Sequence, residues 1–189
     1  MAVAGVRPGD SCFLYFAYGS NLLRERVLLN NATATFCSTA LLQDFKLAFG
    51  NAEGRTTSRW HGGSATIIPS PGDKVWGVVW QMNKDSLSTL DEQEGVAYGF
   101  YVPIEIIVHT EKGNELICRC YEMKDPVFAL PSPQYKWVIC MGAKQNSLPA
   151  EYQKKLEAIE TNNYTGPLPV MEEIEAAMRR TKKITNENC

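Results

Sequence analysis

The chain has 189 residues, 44% hydrophobic and 21% charged, which suits one domain with a full core and no need of a disulfide or metal staple. Its 19 basic and 21 acidic residues leave a net charge of −2, without the basic excess or stripe of a nucleic-acid binder. The longest uncharged stretch, residues 27–43, is too short and too polar for a membrane span.

Residues 1–11 read as a loose arm, and residues 166–189 as a helix and tail appended to a single domain over residues 12–165. Neither a basic segment nor an apolar run of signal-peptide length opens the chain, so a cytosolic location is expected. The six cysteines include no Cys-x-x-Cys pair and are expected to be reduced. With only His61 and His109 as imidazoles, a His-rich metal site is not expected.

Residues 13–18 are aromatic and apolar and predict a buried strand. Gly19, Ser20 and Asn21 break it, and a short helix over 22–29 follows, with Ser20 or Asn21 as N-cap. Residues 43–49 alternate, with Phe45, Leu47 and Phe49 on one face of a strand. A polar loop over 51–63 holds Trp60 and His61. Strands over 65–68 and 75–82 are separated by a turn at Ser70-Pro71-Gly72-Asp73. Asn83 caps a helix over 84–94 that stops at Gly95. Strands over 101–108 and 115–123 form a hairpin around Gly113. After a Pro-rich loop over 126–133, Ser132 caps and Pro133 starts a helix, and Ser147 and Pro149 open another. A third helix over 171–183 has acids first and bases last, which suits the helix dipole and reads as a solvated terminal helix. The pattern is α+β around a mixed or barrel-like sheet.

Three places could carry chemistry. At Tyr18-Gly19-Ser20-Asn21 a strand runs through a glycine into a helix, a geometry that turns backbone N–H groups outward and suits a carboxylate or oxyanion. The same residues also suit an ordinary strand-to-helix turn, and the long phosphate-loop patterns are absent. In Leu87-Ser88-Thr89-Leu90-Asp91-Glu92-Gln93-Glu94-Gly95, the helical stripe through Leu87 and Leu90 reaches Glu94. A carboxylate placed there would have its pKa raised by burial, by the charges of Asp91 and Glu92, and by the negative end of the helix, fitting it for proton transfer near neutrality. A frayed helix end with three solvated acids is the plain alternative, and Asp91 is the competing position. Third, Pro133 holds Tyr135 in the first turn of its helix, where it could bond a ligand or pack in the core. Ser20 lacks a nucleophile-elbow context, and Cys140 lies in an apolar run.

Taken together and in order, Phe13-Leu14-Tyr15-Phe16-Ala17-Tyr18-Gly19-Ser20-Asn21-Leu22-Leu23, Trp60-His61-Gly62-Gly63, the run from Gly72 to Trp80, Leu90-Asp91-Glu92-Gln93-Glu94-Gly95-Val96 and Pro131-Ser132-Pro133-Gln134-Tyr135 resemble the gamma-glutamylcyclotransferase family. That resemblance implies a small β-barrel flanked by helices, a cytosolic homodimer, and conversion of γ-glutamyl-amino acids into 5-oxoproline and a free amino acid. It implies Glu94 as the catalytic acid/base, a substrate loop through Tyr15, Phe16, Ala17, Tyr18, Gly19, Ser20 and Asn21, a binding role for Tyr135, and no metal or other cofactor. Sister enzymes specific for glutathione tend to carry Leu after the Gly-Ser, so Asn21 favours the γ-glutamyl-amino acid branch. The alternative function is a non-catalytic module binding a small acidic ligand in the same cradle. A scaffold protein is a further alternative, and it would need an exposed docking surface.

Overall fold

The computed structural model describes residues 3–4, 11–52 and 59–187. Its centre is a barrel built around two long strands. The apolar run predicted at residues 13–18 becomes β2 (Cys12–Ala17), which lies antiparallel to β4 (Ser64–Asn83) from Cys12↔Asn83 to Ala17↔Val78. β3 (Thr35–Asn51) runs antiparallel along the other edge of β4, from Thr35↔Gln81 to Gly50↔Ser64. The hairpin of β5 (Tyr101–Thr110) and β6 (Glu115–Met123) closes the circle. β5 meets β3 at Leu41↔His109 and Ala40↔Thr110, and β6 lies parallel to β2 at Tyr15↔Arg119. The result is a closed five-strand mixed barrel flanked by helices, as the α+β expectation held. Two short strands extend it: β1 (Val3–Ala4) parallel to β6, and β7 (Val127–Phe128) on the end of β3. β1 thus lies within the predicted arm, whose residues 1–2 and 5–10 are outside the described part.

Several local expectations change. The turn predicted at residues 70–73 is a wide bulge inside one continuous strand: the register steps from Gln43↔Lys74 to Phe45↔Pro69. Asp44 takes φ +65°, Gly72 takes φ +87°, and the Gly72 N–H donates to Asp44 Oδ1 at 3.0 Å. Turn-forming residues thus bend a strand without ending it. The predicted cap at Ser20 or Asn21 is also replaced. Ser20–Leu22 form a 3₁₀ turn, and α1 (Arg24–Asn30) starts after Leu23 with no side-chain cap. Leu22 and Leu23 are fully buried, so the turn is set by dropping both into the core, and the Asn21 amide is committed elsewhere.

Asn83 likewise makes no cap bond. A 3₁₀ turn at Lys84–Ser86 precedes α2 (Leu87–Gln93), and Glu94 is the C-cap residue before Gly95 at φ +65°. The start of α3 (Pro133–Gln145) follows the prediction: Ser132 Oγ accepts from the Tyr135 N–H at 3.2 Å. α3 presses against the Ser20–Leu22 turn at Gly142, where an added Cβ would come within 2.6 Å of Leu22 and Leu23 backbone. After α4 (Ala150–Glu157), the terminal helix α5 (Pro169–Glu187) is not solvated all round: it buries Val170 and Ile174, and it packs on α1. Its charged last turns are exposed.

Candidate active site

One cavity of about 90 Å³ opens where the end of β2, the Ser20–Leu22 turn, α1, the end of α2 and the start of α3 converge. Its wall includes Tyr15, Tyr18, Gly19, Ser20, Asn21, Glu94 and Tyr135. The residues singled out at the cradle, at the end of α2 and at the start of α3 therefore meet around one space. Phe16 and Ala17 do not line it. Both are fully buried in the barrel wall, and Phe16 packs beside Gly77.

Glu94 reaches the cavity because α2 buries Leu90 completely and ends in a turn directed by Gly95. Among the described residues no hydrogen bond or ion pair engages its carboxylate. Burial is the main influence on it and pushes its pKa up to about 7. Arg26 and Arg59 oppose that rise, and Asp91 adds to it. The burial and the Asp91 charge match what the sequence predicts. Glu92, expected to push as well, is not among the causes, and neither arginine follows from the helical stripe.

Asp91, one turn earlier, is spent on the fold. Arg119 grips it with two hydrogen bonds of 2.8 and 2.9 Å, and the Tyr121 hydroxyl donates to Asp91 Oδ1. This clamp ties α2 to β6 and leaves Glu94 as the acid facing the cavity.

The aromatic side chains have fixed polar ends. Tyr135 lies tilted against Trp60, with ring centroids 4.8 Å apart. Its phenol oxygen accepts the Ala65 N–H at 2.9 Å, and the Ser20 amide faces the same oxygen. Even so, burial dominates and holds the Tyr135 pKa well above its usual value, so it is a neutral phenol with a proton to donate. The Tyr15 hydroxyl accepts from Asn21 Nδ2 at 3.1 Å, and the Trp80 indole N–H donates to the Asn21 carbonyl at 2.8 Å. Asn21 is thereby locked in place while its Oδ1 stays buried without a partner.

The cradle is less rich in free N–H groups than the sequence suggested. The Leu22 and Leu23 amides are turned back onto the Gly19 and Ser20 carbonyls, and Ser20 serves Tyr135. In compensation the cavity holds residues the sequence reading did not select for the site: Arg26, Arg59, Trp60, Tyr101 and Tyr121. Among the described residues no cluster of His, Cys, Asp and Glu could hold a metal ion. His109 faces Glu115 at 3.4 Å, and His61 lies against the Tyr164 ring. Cys12, Cys37, Cys118, Cys120 and Cys140 are free thiols, and Cys189 is outside the described residues. A half-buried acid with a pKa of about 7, neutral phenols and a cationic side chain can together bind a small anion and move a proton at neutral pH.

Residues 74–156 match the model of the AIG2-like family. The chain is 60% identical to a protein of Bos taurus named gamma-glutamylcyclotransferase, over 95% of this chain and 94% of that one. A Mus musculus protein of the same name is 64% identical over 82% of this chain and 83% of its own. A solved structure called gamma-glutamyl cyclotransferase superposes with a TM-score of 0.85 at 60% identity, covering 89% of this chain and 99% of the other.

Proposed function

The chain belongs to the gamma-glutamylcyclotransferase family and is an enzyme of that type, and from this premise we propose how its cavity does the work. The substrate is a γ-glutamyl-amino acid. Its α-amine attacks its own γ-carbonyl, a C–N bond closes a five-membered ring, and the amide C–N bond to the departing amino acid breaks. The products are 5-oxoproline and a free amino acid. Because attack is intramolecular, the main task is to hold a folded conformer, where the gain in effective molarity is very large.

Glu94 takes the proton from the attacking amine and returns it to the leaving nitrogen. The observation that carries this reading is its free, half-buried carboxyl with a pKa of about 7 at the cavity wall, able to exist in both protonation states during turnover. Tyr135, whose oxygen already accepts from the Ala65 N–H, donates its own proton into the cavity toward the developing oxyanion. Tyr15, Tyr18, Gly19, Ser20 and Asn21 shape the binding wall, with Phe16 and Ala17 supporting it from behind.

Neither nucleotide nor redox cofactor is needed for this chemistry. Asn21, at the position where glutathione-specific sister enzymes tend to carry Leu, supports the γ-glutamyl-amino acid branch over glutathione. The family resemblance further supports a cytosolic homodimer, which light scattering would test. Among the described residues no helix is long and apolar enough to cross a membrane.

The direct test is incubation with γ-glutamyl-alanine and with glutathione, measuring 5-oxoproline. Rapid release from the dipeptide and much slower release from glutathione are expected. No release from either would overturn the reaction, and equal kcat/KM values would overturn the branch.

A further inference from the structure

Arg26 presents an unsolved charge problem. It lies in α1 and is 3% exposed, yet its Nε is buried without a hydrogen-bond partner. Among the described residues no ion pair forms to it. Its guanidinium sits 5.9 Å from the Trp60 ring centroid, a contact that orients the side chain but does not neutralise it. Burying an unpaired guanidinium is costly, and burial accordingly pulls its pKa below the usual value.

The nearby carboxylates do not resolve the charge. Asp91 is consumed by Arg119 and Tyr121. Glu94 forms no ion pair with Arg26 and stays raised to about 7 despite it. In the cradle, the Leu22 and Leu23 amides are committed to the turn and the Ser20 amide to Tyr135, so none of these three serves an anion. What faces the cavity is a buried cation short of one anion.

On the reading that the substrate is a γ-glutamyl-amino acid, we propose that Arg26 is the receptor for the α-carboxylate of the γ-glutamyl group. Such a substrate carries two carboxylates. The α-carboxylate is common to every γ-glutamyl compound and stays with the 5-oxoproline product. The other belongs to the departing amino acid and must face the way out. Depth in the protein separates the two cations in the same order: Arg26 is buried, whereas Arg59 is exposed beside the same cavity. A guanidinium can grip a carboxylate through two parallel N–H···O bonds and so fix the rotation that brings the α-amine toward the γ-carbonyl. Arg26 is therefore a binding residue that also orders the conformer which cyclises.

The test separates this assignment from the reaction itself. Binding of 5-oxoproline is compared with that of its carboxamide by calorimetry, in wild type, Arg26→Gln and Arg26→Lys. This comparison needs no turnover. Wild type should bind the carboxamide at least about tenfold more weakly, as expected on losing a charge-assisted pair. Arg26→Gln should bind both equally weakly, and Arg26→Lys should recover part of the preference. In turnover, Arg26→Gln should raise KM for γ-glutamyl-alanine and lose discrimination against its α-carboxamide, while γ-glutamyl-alaninamide, altered only at the departing end, should keep its wild-type ratio to γ-glutamyl-alanine. If wild type does not distinguish 5-oxoproline from its carboxamide, or if Arg26→Gln keeps that distinction, the assignment is wrong. It is also wrong if the variant's lost discrimination concerns γ-glutamyl-alaninamide instead. A failure of the reaction reading appears separately, as absence of 5-oxoproline formation by wild type.

Discussion

Two acid–arginine neighbourhoods are built on acids three residues apart and are used in opposite ways. At Asp91 and Arg119 the charges face each other, share two hydrogen bonds and are completed by Tyr121. At Glu94 and Arg26 the charges feel each other but do not pair, and each keeps unsatisfied capacity in the cavity. A closed pair does its work when the chain folds. An open pair remains expensive until something arrives to complete it. The same residue types on adjacent turns therefore distinguish a strut from a site, and the difference lies in which hydrogen-bond positions are already taken.

The strongest way to break this contrast is at the open pair. Replacing Glu94 by Gln keeps its size but removes the base, and loss of a general base costs on the order of 10²–10⁴ in rate. Glu94→Gln should lose at least that much in kcat while remaining folded. Glu92→Gln, one helical position away from the buried stripe and exposed, should change kcat less than about twofold as the control for charge alone. Near-normal kcat in Glu94→Gln would refute the assignment of the base.

pH sharpens the comparison next. Since the free Glu94 must be deprotonated to act as base, kcat/KM should fall below pH about 7, approaching tenfold per unit. Its folded-state pKa is raised above the unfolded value, so in the folded chain it holds its proton over a window where the unfolded chain has lost it. The group's favourable contribution is complete below pH about 4.5 and is lost as pH rises through about 7. Above that, the half-buried charge costs at most about 3 kcal/mol. Glu94→Gln should therefore be more stable than wild type at pH 8, with the gain vanishing near pH 4. A variant less stable at pH 8 would show that the carboxylate is satisfied by contacts of its own.

The closed pair should respond mainly in stability. Asp91→Asn keeps one carbonyl acceptor but removes the charge and the second oxygen that Arg119 and Tyr121 share, and with both ends of the pair less than a third exposed, a loss of about 1–2 kcal/mol is expected by chemical denaturation. Its kcat should fall far less than that of Glu94→Gln. If Asp91→Asn instead abolished turnover in a fully folded protein, Asp91 would belong to the chemistry and the contrast would collapse.

The degree to which these features were readable in the sequence follows from the range of the forces involved. Local signals came through: the alternating run at residues 43–49 lies in β3, the apolar run at 13–18 became β2, the hairpin around Gly113 became β5 and β6, and Ser132-Pro133 opened α3 as its cap chemistry required. Glu94 was visible because a helical stripe led to it. The same test, not applied to α1, would have found Arg26, which stands at i+4 from Leu22 and i+3 from Leu23, both fully buried. Arginine on a short helix reads as a solvated residue unless its stripe is traced. The Asp91 clamp could not be seen, since Arg119 and Tyr121 come from a strand far along the chain. The 70–73 segment misled because proline, glycine and aspartate bend a bulged strand as readily as they end one. The loss of cradle donors to Tyr135 was equally hidden, because it depends on a phenol arriving from α3.

The way the barrel closes has a consequence for its motions. The β5–β6 hairpin is stitched to the remaining strands by a short ladder on each side, at Tyr15↔Arg119 and at Leu41↔His109 with Ala40↔Thr110, while β3 and β4 run together almost throughout. Side chains reinforce those seams: the Tyr101 hydroxyl donates to the Ala65 carbonyl at 2.7 Å, and the Tyr18 hydroxyl donates to the Tyr121 carbonyl. Such a hairpin forms its own cooperative unit and detaches before the long ribbon does, so its backbone amides should exchange with deuterium sooner than those of β3 and β4. Because Tyr101 and Tyr121 carry the hairpin's share of the cavity wall, an occupant touching both sides acts as one more stitch across the seam. Occupancy of a small cavity is thereby communicated to an entire flank of the barrel, as slowed exchange along β5 and β6.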